Sequence, residues 1–329
     1  MASKLLFITG ATGFIGSHVV NLALKAGYKV RLSVRKDNQI EELKQLFPSF
    51  LSRLDFVQIP DISKIGAFDG SLSEVDFILH IASPMPGTGQ DLKLDYVEPA
   101  VGGTKAILEA AKDTSTVKRV TIMSSVASLT PSLYRVRVNI RVENTELPNL
   151  VDLDMSFPEG MDGHLMKYQA SKILAHEASK EFVQHYHPDF SLVTLHPTFV
   201  LGPSLLQKSR KDVSGANQLL LQSLKDDKPI FPSTCCDVRD VAQATLATID
   251  AKVERSVEEF VISGVKLNWD QILDYVQKEY PRFHGNLSPP FDEPFVANAS
   301  KAEKALRIKW RSMEDMIGSV LEQQTILAE

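Results

Sequence analysis

Short apolar runs alternate with stretches of helical periodicity through the first 200 residues of the chain, the pattern of a parallel sheet whose strands are joined by crossover helices. Leu5–Ile8, Lys29–Val34, Leu54–Gln58, Asp76–Ile81, Val120–Met123 and Ser191–His196 read as the strands. Between the first two, Ile15, Val19, Leu22 and Ala23 recur at helical spacing, and Gly27 stands where a helix would stop. That is one complete βαβ unit.

After His196 the alternation is lost, and Pro197, Gly202, Pro203, Pro229 and Pro232 punctuate the chain. The segment Asp237–Ala251 regains an apolar helical face through Val238, Val241, Ala242, Thr245, Leu246 and Ile249. Asn268–Glu279, Lys301–Leu306 and Met313–Gln323 predict further helices, and Phe260–Ile262 a strand. The expected fold class is therefore α/β, a Rossmann doubly wound parallel sheet with a smaller, discontinuous C-terminal substrate domain. The first unit is expected from residues 1–197 plus 237–252, the second from 198–236 plus 253–329.

Composition changes this picture little: 329 residues at 43% apolar content suit a soluble globular chain of one large and one small domain. A net charge of −5, with lysines and arginines spread thinly, argues against nucleic acid as a partner. No apolar run approaches the roughly 20 residues of a membrane span, and Leu5–Ile8 is too short for the core of a secretion signal, so a cytoplasmic location is expected. Cys235 and Cys236 are adjacent, where an ordinary disulfide is strained, and read as free thiols. Of the eight histidines only His185 and His187 fall close together, and no metal site is expected.

Candidate chemistry begins at Thr9–Gly16, T-G-A-T-G-F-I-G. Gly10, Gly13 and Gly16 lie between a predicted strand and a predicted helix, where a tight turn and a close backbone approach to a pyrophosphate both require the missing Cβ. The helix N-terminus supplies free N–H groups and partial positive charge. An acidic residue about 20 positions further on would mark NAD. None occurs from Met1 to Lys36, and the second strand runs instead into Arg35 and Lys36. A guanidinium there would pair with a 2′-phosphate, which favours NADPH.

Tyr168 and Lys172 are four apart within a helical pattern and so share one face. A neighbouring ammonium favours the phenolate, and the expectation is a tyrosine brought down from its ordinary value near 10 toward a working general acid/base. Ser124 and Ser125 follow the strand Val120–Met123, at the carboxyl end where parallel sheets place ligands. Either hydroxyl could stabilise a carbonyl oxygen gaining charge, and spacing does not separate them.

Taken together these motifs resemble the extended short-chain dehydrogenase/reductase superfamily, within it the dihydroflavonol 4-reductases, cinnamoyl-CoA reductases and related fungal and yeast aldehyde and ketone reductases. The matching runs are T-G-A-T-G-F-I-G-S-H from Thr9, V-R-L-S-V-R ending at Arg35, Asp61-Ile62, and H-I-A-S-P from His80. V-E-P-A-V-G-G-T from Val97, S-S-V-A-S from Ser124, Y-Q-A-S-K from Tyr168, H-P-T-F-V-L-G-P from His196 and D-V-R-D-V-A from Asp237 follow in order.

The resemblance implies a catalytic set of Ser125, Tyr168 and Lys172, with Tyr168 the proton donor, Ser125 polarising the carbonyl and Lys172 also holding the nicotinamide ribose. It implies cofactor contacts from Gly10, Thr12, Gly13, Phe14, Ile15 and Gly16, and from Arg35 and Lys36 at the 2′-phosphate. Asp61 and Ile62 would flank the adenine, Ala82 and Ser83 would run along the cofactor, and Pro197, Thr198 and Val200 would meet the nicotinamide. Glu42 stands where a lysine often assists the phosphate clamp, leaving Lys36 or Lys44 as substitutes. The Val-Tyr-Gly of nucleotide-sugar epimerases is absent after Ser125, which argues against that chemistry.

The expected activity is NADPH-dependent reduction of a small organic or secondary-metabolite ketone or aldehyde, by a monomer or homodimer. A dinucleotide-sensing regulator is the rival, against which the Ser-Tyr-Lys set argues. The substrate pocket is expected from Leu129–Gly163 and Gly202–Cys235.

Overall fold

The computed structural model describes residues 4–327, apart from 86, 88, 130–150, 231–233, 254–256, 267 and 292–296. Seven parallel strands form one sheet in the order β3-β2-β1-β4-β5-β6-β9. They are β1 (Leu5–Thr9), β2 (Lys29–Val34), β3 (Leu54–Gln58), β4 (Phe77–His80), β5 (Arg119–Met123), β6 (Ser191–Pro197) and β9 (Val257–Ile262). The order reverses beside β1, between β1 and β4, which is where doubly wound sheets open a ligand crevice at their carboxyl ends.

Because side chains alternate across a strand, each strand feeds two cores. Leu6, Ile8 and Leu79 pack on one face with Val19, Val20 and Leu24 of α1 (Phe14–Lys25). Phe7, Ile78 and Val120 pack on the other with Ile107 of α3 (Glu98–Lys112) and Phe182 of α4 (Gly160–Tyr186). Every one of these apolar side chains but Phe182 has no solvent exposure at all. Burying a side chain of this kind contributes about 1.5–3 kcal/mol, so the covering helices are held by the same alternation that made the strands legible.

The strand at Phe260–Ile262 corrects the expected division of the chain. It begins at Val257 and pairs with β6 from Leu192↔Val257 to Pro197↔Ile262, so it is the seventh strand of the main sheet rather than part of a second unit. Glu258 and Glu259 interrupt its apolar pattern, yet both are buried, Glu258 by pairing with Lys301 and Glu259 by pairing with His176. Two buried carboxylates with partners distant in sequence are what conceal the first half of this strand.

The punctuated region also holds more order than its prolines suggest. β7 (Phe199–Leu201) pairs in parallel with β8 (Cys235–Asp237), and α5 (Gly215–Lys225) lies between them in sequence. With α7 (Trp269–Glu279) and α9 (Met313–Ile326) they build a separate core around Leu201, Leu220, Trp269, Ile272, Ile317 and Val320. α6 (Val238–Ala247) packs beside α1 on the main sheet, its N-terminus capped by Asp237 through Arg239 N at 2.8 Å. α8 (Ser300–Leu306) contacts β9. Cys235 and Cys236 are buried and not joined in a disulfide, and burial pushes the Cys236 thiol up to about 12. Among the described residues no helix is long and apolar enough to cross a membrane.

Candidate functional site

The turn after β1 is shaped by what cannot fit there. Gly10 adopts φ +75°, and a Cβ on it would stand 2.8 Å from Ala82 N, in the loop after β4. A Cβ on Gly16, in the first turn of α1, would stand 1.9 Å from Gly10 O. Only glycines let this helix start that close to the turn. Gly13 is the N-cap of α1, no side chain caps the helix, and no acidic residue lies in its first turn. Its leading N–H groups and positive dipole end are therefore available to an anion. The cradle fits a dinucleotide pyrophosphate.

Two polar side chains, Thr9 and Gln39, hold this turn in place. Thr9 Oγ1 bonds His80 Nδ1 at 3.1 Å and accepts from Ile81 N at 3.0 Å and Ala82 N at 3.1 Å, tying β1 to the end of β4. His80 is fully enclosed, and burial pulls it down to about 3, so it is neutral there. Gln39, in α2 (Asn38–Leu46), accepts from Arg35 N at 2.8 Å and donates to Thr12 Oγ1 at 3.2 Å. The glycine turn and the basic strand end are thus one hydrogen-bonded unit, which nothing in the spacing of the sequence reveals.

Arg35 and Lys36 are exposed beside this unit. Lys44 is paired with Glu41 at 2.8 Å, while Glu42 accepts from Asn38 at 3.2 Å. Asp61 accepts from Ser63 Oγ at 2.6 Å and Ser63 N at 2.9 Å, and these bonds hold its carboxyl below the usual range. Ile62 packs against Gly103 of α3. Pro197 ends β6, Thr198 N donates to Ile262 O at 2.9 Å, and Val200 lies in β7.

At the reacting end, α4 carries Tyr168 and Lys172 one turn apart, facing the carboxyl end of β5. The two serines after β5 differ. Ser124 is buried and bonded to Ser128 Oγ at 3.1 Å, whereas Ser125 is half-buried and hydrogen bonded to Tyr168. Geometry therefore brings Ser125, and not Ser124, to the tyrosine. Ser128 also bonds His196 Nδ1 at 3.0 Å and donates to Ser125 O at 2.7 Å, which fixes the serine turn from behind.

The tyrosine does not behave as the sequence suggests. Burial raises its pKa above the ordinary value, with only the Ser125 hydrogen bond acting the other way. Lys172 Nζ lies 5.7 Å from the centre of the Tyr168 ring and donates to Met123 O at 3.3 Å, so its charge is directed at the end of β5 rather than at the phenol. A phenol held protonated is suited to give a proton, which is the direction reduction needs. Burial meanwhile lowers the Lys172 ammonium to about 8.

Behind these residues the fold assembles a group absent from the sequence reading. His176 of α4, His196 of β6 and Glu259 of β9 bring their donor atoms within 4.8 Å of one another. His176 bonds Glu259 Oε1 at 2.8 Å, and His196 bonds Thr194 Oγ1 at 2.9 Å as well as Ser128. Sequence spacing had singled out His185 and His187 instead; three elements far apart in sequence converge here, and no local pattern announces it.

Residues 6–263 match the model of the NAD dependent epimerase/dehydratase family. The chain is 33% identical to ketoreductase sphI of Aspergillus fumigatus, over 98% of each chain. It is 28% identical to the NADPH-dependent methylglyoxal reductase GRE2 of Saccharomyces cerevisiae, over 97% of each. The crystal structure of yeast methylglyoxal/isovaleraldehyde reductase Gre2 complexed with NADPH superposes with a TM-score of 0.81 at 26% identity, covering 99% of both chains. The glycine cradle, the seven-stranded parallel sheet and these likenesses lead to one conclusion: the chain belongs to the NAD dependent epimerase/dehydratase family, within the extended short-chain dehydrogenases/reductases.

Proposed function

We propose that the protein is an NADPH-dependent carbonyl reductase that converts a small ketone or aldehyde to an alcohol through Ser125, Tyr168 and Lys172. The observation that carries the reading is the meeting of Ser125 with Tyr168 beside Lys172, at the same edge of the sheet as the glycine cradle. Gly10, Gly13 and Gly16 with the first turn of α1 would hold the pyrophosphate, and Arg35 and Lys36 the 2′-phosphate. Asp61 and Ile62 would border the adenine, Ala82 and Ser83 the middle of the cofactor, and Pro197, Thr198 and Val200 the nicotinamide. Held by these residues, NADPH would supply the hydride for the carbonyl carbon.

This chain's own residues manage the oxygen. Tyr168, kept protonated by burial, gives its hydroxyl proton to the developing alkoxide. Ser125 donates a hydrogen bond to the same oxygen as its charge grows, where a preorganised donor acts most strongly. Lys172 offers its ammonium to the nicotinamide ribose, while the Ser125 hydrogen bond is what eases loss of the tyrosine proton. The relatives' activities support the class of reaction, since the fungal relative is a ketoreductase and the yeast relative reduces methylglyoxal.

The test is NADPH oxidation, followed at its near-ultraviolet absorbance, against aromatic and aliphatic aldehydes, diketones and ketoesters. Turnover of at least one carbonyl is expected. Tight NADPH binding with no turnover across the panel would replace this reading with a dinucleotide-sensing regulator.

A further inference from the structure

Tyr168, Lys172 and His176 fall at successive four-residue steps of α4, one stripe along a single face of the helix. The first two carry the proposed chemistry. The third is 6% exposed and lies at the wall of a small polar cavity that Lys172 also lines, with Ser124, Thr104, Thr194 and His80 around it. Side chains on a helix lean toward its N-terminus, so His176 is directed back over the turn that bears Lys172.

The two nitrogens of His176 are not equivalent. Nε2 meets Glu259 Oε1 at 2.8 Å, and Glu259 is 2% exposed. Burial would raise that carboxyl, but the hydrogen bond from His176 and the nearby Lys180 cation hold it down, at about 2, so it is an anion able only to accept. Nε2 must therefore carry the proton. Nδ1 is buried with no hydrogen-bond partner among the described residues, an arrangement that needs a reason. The cavity has room for about one water molecule.

We infer that His176, its tautomer fixed by Glu259, is a positioning residue for Lys172: its bare Nδ1 accepts from a water in this cavity, and that water accepts from the Lys172 ammonium. The inference rests on the Ser125-Tyr168-Lys172 reading above. Lys172 is 5% exposed and makes one hydrogen bond among the described residues, to Met123 O. Two of its three N–H donors otherwise face a site that disfavours charge. A water oriented by an acceptor keeps the ammonium charged and aimed, as an acceptor-fixed histidine orients a metal-bound group.

The other charged and titratable groups around the pair do not substitute for it. His80 on β4 and His196 on β6 are each lowered to about 3 by burial and stay neutral. Lys180 of α4 lies 4.0 Å from Glu259, and Lys301 of α8 donates to Glu259 O, so both cations attend the carboxylate side. From α3 and β5 the cavity receives Ala100, Thr104, Ile122, Met123 and Ser124, none of which titrates in the working range.

The test is the pH profile of turnover in the full-length enzyme. His176→Leu is expected to move the alkaline limb down by about 1 pH unit, because the ammonium loses its oriented water. His176→Asn, whose Oδ1 offers an acceptor near the position of Nδ1, is expected to restore the wild-type limb. An unmoved limb in His176→Leu, or Asn behaving like Leu, overturns the inference.

Should His176→Leu leave Glu259 buried alone and fail to fold, the double variant His176→Leu/Glu259→Leu removes both charges and is read in the same way. Histidine ¹⁵N spectra of the wild-type protein give an answer that needs no activity. Nε2 protonated and Nδ1 bare is expected at His176, and a protonated Nδ1 overturns the inference. Tyr168→Phe separates the two levels: wild-type turnover in that variant defeats the Ser-Tyr-Lys reading, whereas its inactivity together with an unmoved limb defeats only the role of His176.

Discussion

The cradle after β1 and the reacting end of α4 lie along one edge of the same sheet, yet they are built by opposite means. The cradle is defined by exclusion: a Cβ at Gly16 would overlap Gly10 O, and a Cβ at Gly10 would press on Ala82 N. Backbone shape alone makes it. The reacting end is defined by inclusion, since Lys172, His176 and Glu259 are polar groups buried among strands and helices that must each supply a partner. A site made by exclusion fails abruptly when one atom is added. A site made by buried charge fails by degrees and with pH.

Substitutions should expose that contrast. Gly16→Val should have the largest effect, because its Cβ meets backbone that has nowhere to go, and NADPH binding should weaken by at least about 100-fold or the fold be lost. A fluorescence titration with NADPH, alongside circular dichroism, measures both. Ser125→Ala should lower turnover by about 10²-fold, the scale of one oxyanion donor, while Ser124→Ala should stay within about 3-fold. Steady-state kinetics on the pair would break the assignment if Ser124 proved the costlier loss.

Arg35→Ala should follow, reducing the preference for NADPH over NADH by about 10–100-fold through loss of a charge-assisted bond worth about 1.5–3 kcal/mol. The ratio of kcat/KM for the two cofactors reports it, and an unchanged ratio would remove Arg35 from the phosphate site. The smallest effect is the pH response of the wild-type enzyme. Lys172 is charged below about 8 and neutral above it, so reduction should decline as pH rises through that value. A kcat/KM profile flat from pH 7 to about 9.5 would contradict the role given to its ammonium.

The same contrast explains how much of the molecule the sequence discloses. Exclusion is local, so Gly10, Gly13 and Gly16 between a strand and a helix announce the cradle within eight residues, and Tyr168 and Lys172 announce themselves by sharing a turn. Six of the seven strands of the sheet declare themselves by short apolar runs in the first 200 residues. β9 shows only its end, Phe260–Ile262, because Glu258 and Glu259 break its pattern and their partners, Lys301 and His176, are remote in sequence.

For the same reason the bonds made by Gln39, Thr9 and Ser128 are not legible in the sequence: each reaches a residue its own neighbourhood does not contain. The Tyr168 pKa departs from the sequence expectation in sign for a related cause. Helical spacing places Lys172 near Tyr168 but does not reveal that the ammonium is turned to Met123 O, leaving burial to decide the phenol. Of the expected pocket walls, 130–150 and 231–233 lie outside the described residues.

The central claim is that Tyr168 gives the proton in a carbonyl reduction, and Tyr168→Phe tests it most directly because one hydroxyl is removed and little else. Turnover should fall by about 10² to 10⁴-fold while the NADPH dissociation constant stays within about 3-fold, since a general acid acts mainly in the transition state. Wild-type turnover in that variant would contradict the account.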